Sequence, residues 1–281
     1  RVPARENGIE SAVTVLAEQS LYRTRPDVSI DGKRFVYAST RGAADQFNNL
    51  YVQPTQGGEP YKITFFEHDA FHPRWSPDGE WIAFISNEPG VSQLMLLETY
   101  GGELKTLHIN EQYFKRETGI LKVRVLDAES NTTTHSRIHL SAADGKLYAP
   151  NETYARVSGR GDPMFHTEGL FELRLPVGEV TLNAVKGFEY YPQTVSAEVE
   201  SDSVVSLTVS LERMEDMAAK GWYSASTHVH SNYGGNLHNT LENLVMMSRA
   251  EDQDLVLEQV ANKDNRILDY QYFVPGGGAH P

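Results

Sequence analysis

The sequence contains no cysteine among its 281 residues, which excludes a disulfide framework and a thiolate metal site. Any metal would therefore be held by histidine, carboxylate and water. No apolar run approaches the roughly 18 to 20 residues that a membrane-spanning helix needs, so we expect no membrane span. Acidic side chains outnumber basic ones by 38 to 25, a net charge of -13. This charge repels phosphate backbones, and we expect no nucleic-acid partner.

The first third of the chain contains a repeat of short strands. The stretch RPDVSIDGKRFVYAST from Arg25 aligns with HPRWSPDGEWIAFISN from His72, and both copies place an Asp-Gly turn before an apolar strand. A period of about 40 to 45 residues made of short strands is typical of a propeller blade. The SPDG turn at residues 76–79 resembles the PD40 repeats of TolB-like propellers. We expect residues 1–108 to form a partial β-propeller, since about two blades are too few to close one.

The middle of the chain, residues 119–212, alternates apolar and polar side chains in short segments without the blade period. Such segments, separated by turn residues about every ten positions, predict an antiparallel β-sandwich of the immunoglobulin or prealbumin kind. Residues 175–190 resemble the carboxypeptidase regulatory-like domains, which implies a module that supports an enzyme. His166 and Glu189 are placed where they could face the next domain, although each could equally be an ordinary polar residue.

The C-terminal segment, residues 221–281, follows a short predicted helix around residues 212–221 and changes pattern again. WYSASTHVH predicts a strand, NTLENLVMMSRAED a helix capped by Asn239, and DLVLEQVAN a second strand. Strand, helix and strand in this order indicate a βαβ unit, and in such folds catalytic groups gather at the C-terminal ends of the strands. His228 and His230 stand at such an end. Because residues i and i+2 of a strand project to one face, both imidazoles could reach one ion.

Residues 221–266 resemble the start of the PHP-type metallohydrolase domain of the CehA/McbA family, in the polymerase and histidinol phosphatase superfamily. The resemblance implies that His228 and His230 are the first two ligands of a divalent metal cluster of zinc, manganese or iron. Such a cluster would polarise a water for attack on an ester, amide or phosphoester of a small-molecule substrate. The resemblance also implies a location outside the cytoplasm. The fold expected for the whole chain is multidomain and mainly β, ending in the first βα units of an α/β barrel.

Three further residues are candidates for the same site. Glu258, at the end of the second predicted strand, could act as a base or ligand, and it could equally pair with Lys263. His238 could lie beside the substrate and His280 could be another metal ligand, although both could simply be solvated loop residues. The superfamily commonly has aspartate where this chain has Ser226, two residues before the first histidine, and this change would lower the negative charge at the metal.

Two further expectations concern completeness and the competing interpretations. A complete barrel needs about 200 residues or more, whereas about 60 follow Gly221, so we expect this chain to be a fragment that carries only part of the site. The alternative is a non-catalytic binding protein in which propeller and sandwich hold a partner, an interpretation that Ser226 favours. A propeller-linked serine peptidase finds no support, because the sequence has no Gly-x-Ser-x-Gly elbow.

Overall fold

The computed structural model describes residues 13–17, 25–41, 45–100, 102–151, 153–157, 162–232, 237–263 and 266–278. These residues form two units, each built mainly of β-strands, which are treated separately below. The blade unit contains the described parts of residues 1–108, 232–238 and 261–271. The sandwich unit contains the described parts of residues 109–231, 239–260 and 272–281.

Two four-stranded antiparallel sheets, each with its strands in sequence order, form most of the blade unit. The strands of the first sheet are β1 (Asp27–Val28), β2 (Arg34–Ser39), β3 (Asn49–Pro54) and β4 (Tyr61–Lys62). Those of the second are β5 (Ala70–Trp75), β6 (Trp81–Ser86), β7 (Gln93–Glu98) and β8 (Leu104–Leu107). The alternate apolar residues of β2, β3, β6 and β7 are buried in one shared core, as in Val36, Leu50, Ile82 and Phe84.

The two sheets begin with the same turn, as the repeat in the sequence predicts. Ser29 Oγ donates to Asp31 Oδ1 at 2.6 Å, and Ser76 Oγ donates to Asp78 Oδ1 at 2.5 Å. The glycine after each aspartate has a φ of 67° or 76°, a left-handed conformation that glycine adopts without steric cost. The repeated unit is therefore present in the structure as two blade-like sheets.

Two sheets packed face to face form the sandwich. Its strands are β9 (Thr118–Asp127), β10 (Ser136–Ser141), β11 (Ala155–Val157), β12 (Pro163–Thr167), β13 (Leu170–Pro176), β14 (Gly178–Val185), β15 (Gln193–Val199) and β16 (Val204–Leu211). One sheet has the order β11-β12-β10-β14-β15 and the other β13-β9-β16. The alternation along β9 is confirmed, with Leu121, Val123 and Val125 buried and Lys122 and Arg124 exposed.

The expectation of a purely antiparallel sandwich is wrong at one pair of strands. β9 and β16 run parallel over eight residue pairs, from Val204 opposite Ile120 to Leu211 opposite Asp127. The alternation of apolar and polar side chains along both strands is compatible with parallel and with antiparallel pairing. It specifies which face of a strand is buried, and it does not specify which strand is its neighbour.

A β-α-β unit completes the sandwich unit. Strand β17 (Ala225–Val229) pairs in parallel with β18 (Leu255–Glu258), and helix α1 (Leu241–Ala250) connects them. The predicted helix cap is displaced by one residue: Thr240, not Asn239, caps α1, and its side chain accepts a hydrogen bond from Asn243 N. The helix predicted around residues 212–221 is reduced to a 3₁₀ turn, Ala218–Lys220.

Two short strands of the blade unit follow the β-α-β unit. β19 (Ala261–Lys263) and β20 (Arg266–Leu268) pair antiparallel and precede a 3₁₀ turn, Tyr270–Tyr272. Across the described residues the β17–β18 pair stays two-stranded and closes into no barrel. None of the helices described here has the length and apolar character needed to span a membrane.

Candidate metal site

The two histidines of the predicted motif face each other where β17 ends. His228 is the fourth residue of β17, and His230 is the first residue after the strand. Their rings lie 4.8 Å apart between centroids, and their Nε2 atoms are 2.9 Å apart. The two imidazole rings therefore lie on the same side of the chain, as the two-residue period of a β-strand predicts.

The tautomer of His230 follows from its other ring nitrogen. His230 Nδ1 lies 2.8 Å from the carbonyl oxygen of Gln259, and a carbonyl oxygen only accepts hydrogen bonds. The proton of a neutral His230 ring is therefore on Nδ1, and the lone pair of Nε2 points toward His228. A carbonyl that accepts from the far nitrogen is a common means of orienting a metal-binding histidine.

The strand pairing explains why Gln259 stands where it does. Gln259 follows β18 and its backbone N–H donates to the Val229 carbonyl at 2.8 Å, while its side-chain Nε2 donates to the Thr227 carbonyl at 3.1 Å. These two bonds fix Gln259 along the C-terminal end of β17. Its own carbonyl is thereby presented to His230, so the parallel β17–β18 pair positions the histidine ring.

Glu258 is brought to the same strand ends, but it contacts the turn after His230. Its Oε1 accepts from the Ser231 backbone N–H and its Oε2 from the Ser231 hydroxyl, both at 2.9 Å. A carboxylate with two such bonds holds the turn in one conformation. The structure thus places Glu258 next to the predicted ligands in the fold, and its role as base or ligand stays a prediction.

The donor chemistry of the histidine pair fits a divalent metal. Two imidazole nitrogens that share one ion, each about 2.0–2.1 Å from it, lie roughly 3 Å apart, close to the 2.9 Å seen between the Nε2 atoms. A neutral imidazole pair suits zinc, manganese or iron. Within the described ranges, no group of three or more His, Cys, Asp or Glu side chains is arranged to hold a metal ion. A metal held by this pair would therefore need further donors from water or other side chains.

The end of α1, which leads into β18, is held by charged residues of the sandwich. Arg137 of β10 forms an ion pair with Glu251 at 2.5 Å, and the buried His166 of β12 lies 3.7 Å from the same carboxylate. Burial raises the pKa of Glu251, but the neighbouring His166 and the charge and hydrogen bond of Arg137 outweigh it and leave the pKa below its ordinary value. The Glu251 carboxylate is therefore ionised at neutral pH.

Asp252, the next residue, is held by two further cations. Lys186 lies 3.5 Å from Asp252 and donates to the Arg249 carbonyl at 2.8 Å, close to the C-terminus of α1. Arg213 pairs with Asp252 at 2.9 Å and with Glu189 at 2.6 Å. Burial lowers the pKa of Lys186, although the Asp252 charge opposes this. A cation at a helix C-terminus is favoured by the helix dipole, so these contacts fix the helix between the two parallel strands.

The remaining predicted site residues have different surroundings. His238 belongs to the blade unit, where its backbone N–H donates to Asp69 Oδ2 at 2.7 Å and its Nε2 lies 3.1 Å from the Glu88 carbonyl. His280 lies outside the described residues. Ser226 is half-buried in β17 opposite Val256. No pattern in the sequence indicates the contacts that Gln259, Arg137 and Lys186 make around β17 and α1. His166 and Glu189 are the residues that the sequence suggested could face the next domain.

Comparison with known proteins gives only partial similarities. No protein-family model matches the chain. The uncharacterized peptidase YuxL of Bacillus subtilis (strain 168) is 34% identical over 88 residues, which are 30% of this chain and 13% of that protein. A solved structure of TolB from Agrobacterium tumefaciens is similar with 16% identity and a TM-score of 0.28, covering 64% of this chain and 52% of that one.

A second TolB structure, from Acinetobacter baumannii, matches at 16% identity and a TM-score of 0.28, over 57% of this chain and 39% of that one. The minor pilin GBS52 of Streptococcus agalactiae matches at 14% identity and a TM-score of 0.27, over 57% and 71%. The chain thus spans 13% of the curated relative and about half of the first TolB structure.

Proposed function

We propose that this protein is a divalent-metal-dependent hydrolase in which His228 and His230 are metal ligands. The observation that carries the proposal is the convergence of their Nε2 atoms to 2.9 Å at the C-terminal end of a parallel strand. The substrate class is an ester, amide or phosphoester of a small molecule, as the resemblance to PHP-type enzymes implies. The same resemblance supports completion of β17 and β18 by further βα units, and a location outside the cytoplasm.

A bound divalent ion would polarise the scissile carbonyl or phosphoryl group and lower the pKa of a water molecule toward neutrality. The residues of the chain do the orienting. The Gln259 carbonyl accepts the Nδ1 proton of His230 and keeps its Nε2 unprotonated. Glu258 fixes the turn through Ser231 and keeps His230 at the strand end. Each contact supports the ligand role, because each one limits the rotation of the His230 ring or of the backbone that carries it.

The serine at position 226 bears on the strength of the site. A neutral residue in place of aspartate removes one negative charge from the surroundings of the cation, which lowers metal affinity relative to an enzyme with the usual carboxylate. We therefore expect the protein to need added metal for activity and to lose it readily to chelators. The binding-protein alternative predicts no metal requirement at all.

The proposal is tested by a screen for metal-dependent hydrolysis. The full-length protein, first treated with chelator, is incubated with nitrophenyl esters, a nitrophenyl phosphodiester and a nitroanilide, each with and without Zn²⁺, Mn²⁺ or Fe²⁺. The expected result is metal-dependent turnover in one substrate class that His228→Ala and His230→Ala each abolish. His108→Ala, which removes an exposed histidine of the blade unit, should retain full activity.

Turnover that is independent of metal, or equal in His228→Ala and the parent chain, would contradict the ligand role. If the full-length protein hydrolyses no substrate class with any of the three metals, the binding-protein interpretation replaces the hydrolase. Circular dichroism of each variant is compared with the parent chain, so that loss of activity is not confused with loss of fold.

A further inference from the structure

The blade unit contains a cavity of about 420 Å³, a volume within the range of small-molecule sites. Its wall is formed by residues 45–47, Asn49 of β3, Lys62 of β4, residues 65–67, Asn232, His238 and residues 269–271. All of these belong to the blade unit. His238, which the sequence suggested could lie beside the substrate, is on this wall, but the proposed metal site uses neither His238 nor the carboxylates of the cavity, so the cavity is evidence about a separate function.

The charges on the cavity wall favour a positive ligand. Asp45, Glu67 and Asp269 contribute three carboxylates, and Lys62 contributes one amine. Lys62 is already committed to Asp45, since its Nζ lies 2.6 Å from the carboxylate and both side chains are largely covered. Glu67 and Asp269 are therefore left as the excess charge, and a cavity with excess negative charge attracts cations and repels anions.

Asp269 is the more unusual of these two carboxylates. The residue is 4% exposed and has a left-handed φ of 61°. Its carboxylate accepts from the backbone N–H of Asn232 at 3.2 Å and from the Asn232 side-chain amide at 2.7 Å. Both donors are neutral, and among the side chains that the structure describes no lysine or arginine forms an ion pair with it. Burying a carboxylate without an opposite charge is costly, and a bound cation would offset that cost.

Aromatic rings complete a surface suited to an organic cation. Phe65 and Tyr270, both on the cavity wall, are 78% and 68% exposed. The Phe65 ring already attracts a cation, since Lys62 Nζ lies 4.9 Å from its centroid. Aromatic faces beside carboxylates recognise alkylammonium and guanidinium groups through cation–π attraction combined with charge.

A metal ion fits this wall less well than an organic cation. A metal needs several ligand atoms that converge within bonding distance, and across the described residues no three acidic or histidine side chains are arranged in that way. We propose that the cavity binds a small organic cation, an alkylammonium or guanidinium compound, through Glu67, Asp269 and the exposed rings of Phe65 and Tyr270.

The test is a calorimetric titration of the full chain with choline, with methylguanidinium and with 3,3-dimethylbutan-1-ol, which has the shape of choline without its charge. We expect saturable millimolar binding of at least one cation and none of the neutral alcohol. Glu67→Gln and Phe65→Leu should each weaken binding about five- to tenfold. Both residues are exposed, so neither change should disturb the fold. Glu80→Gln, an exposed carboxylate outside the cavity wall, is the matched control for charge.

Three outcomes would overturn the proposal. The first is equal binding of choline and its neutral analogue, which would make the cavity merely apolar. The second is equal weakening by Glu67→Gln and Glu80→Gln, which would reduce the effect to net charge. The third is no saturation by either cation. His228→Ala should leave cation binding unchanged, so failure of the hydrolase proposal and failure of this one are separable.

Discussion

Replacement of Gly187 by alanine should separate the end of α1 from the sandwich. Gly187 follows Lys186 in the turn after β14 and has a φ of 49°. A Cβ at this position would lie 2.6 Å from the Glu251 carbonyl oxygen and 2.7 Å from Asp252 Cβ. These atoms belong to the turn that Arg137 and Lys186 hold, so the substitution acts on the same contact as the ion pairs.

The expected loss of unfolding free energy in Gly187→Ala has two parts. A residue with a Cβ in the left-handed region costs about 1 kcal/mol. The overlap with the Glu251 backbone adds about 1–3 kcal/mol, as for other overpacked positions. We therefore expect Gly187→Ala to lower the free energy of unfolding of the sandwich unit by about 3 kcal/mol.

Gly221 provides a matched control. It lies in the same unit with a φ of 84°, and a Cβ there would meet no atom within 4 Å. Gly221→Ala should therefore cost only the backbone part, about 1 kcal/mol. Hydrogen exchange of the β10 and β14 amides in rising urea measures the opening free energy of the sandwich, and the β6 amides of the blade unit serve as the internal reference.

Equal losses of opening free energy in Gly187→Ala and Gly221→Ala would refute the reasoning, because both substitutions would then cost only backbone strain. An equal loss at the β6 amides would also refute it, because the close approach to Glu251 and Asp252 lies wholly within the sandwich unit.

Two further predictions concern the carboxylates of Asp69 and Glu251. Asp69 is fully buried and its two carboxylate oxygens accept four N–H hydrogen bonds. Asp69→Asn places an amide donor against these donors and should destabilise the blade unit by about 2–4 kcal/mol, as measured by urea unfolding followed by tryptophan fluorescence. Asp78 is exposed, so Asp78→Asn should change the urea midpoint far less, and equal changes in the two variants would contradict the burial argument. The pKa of Glu251 is lowered in the fold by His166 and Arg137 against the opposing effect of burial, so its stabilising contribution is present above its ordinary pKa of 4.5 and is lost as the pH falls through the folded pKa. Sandwich stability, followed by urea unfolding from about pH 6 to about pH 3, should therefore fall more steeply in the parent chain than in Glu251→Gln, and parallel curves would exclude the role of this carboxylate.

Local patterns predicted much of the fold. The Asp-Gly turns of the two blades follow from short-range hydrogen bonds between a serine, an aspartate and the next strand, and such bonds are encoded within a few residues. The alternation along β9 likewise identifies its buried face. The parallel pairing of β9 with β16 is not encoded in this way, because the choice of neighbour depends on residues far apart in the sequence.

In the candidate site, too, local features could be predicted from the sequence and long-range contacts could not. The two-residue period of a strand predicted that His228 and His230 would share a side, and the βαβ pattern predicted that Glu258 would come to the same strand ends. The Gln259 carbonyl that fixes the His230 tautomer could not be predicted, since it depends on the exact register of β17 and β18. The contacts of Lys186 with the end of α1 could not be predicted either, because the sequence does not distinguish this lysine, which follows a strand, from an ordinary solvent-exposed lysine.

The ligand role of His228 and His230 is tested most directly by titration of the chelator-treated chain with Co²⁺, with visible absorption and the ¹⁵N shifts of the histidine rings as readouts. The account predicts that the Nδ1 of His230 carries its proton before metal is added, and that Co²⁺ bands appear with saturation. It also predicts that His228→Ala and His230→Ala each lose those bands while His108→Ala keeps them. Cobalt binding that is absent, or unchanged in the His228→Ala/His230→Ala double variant, would contradict it.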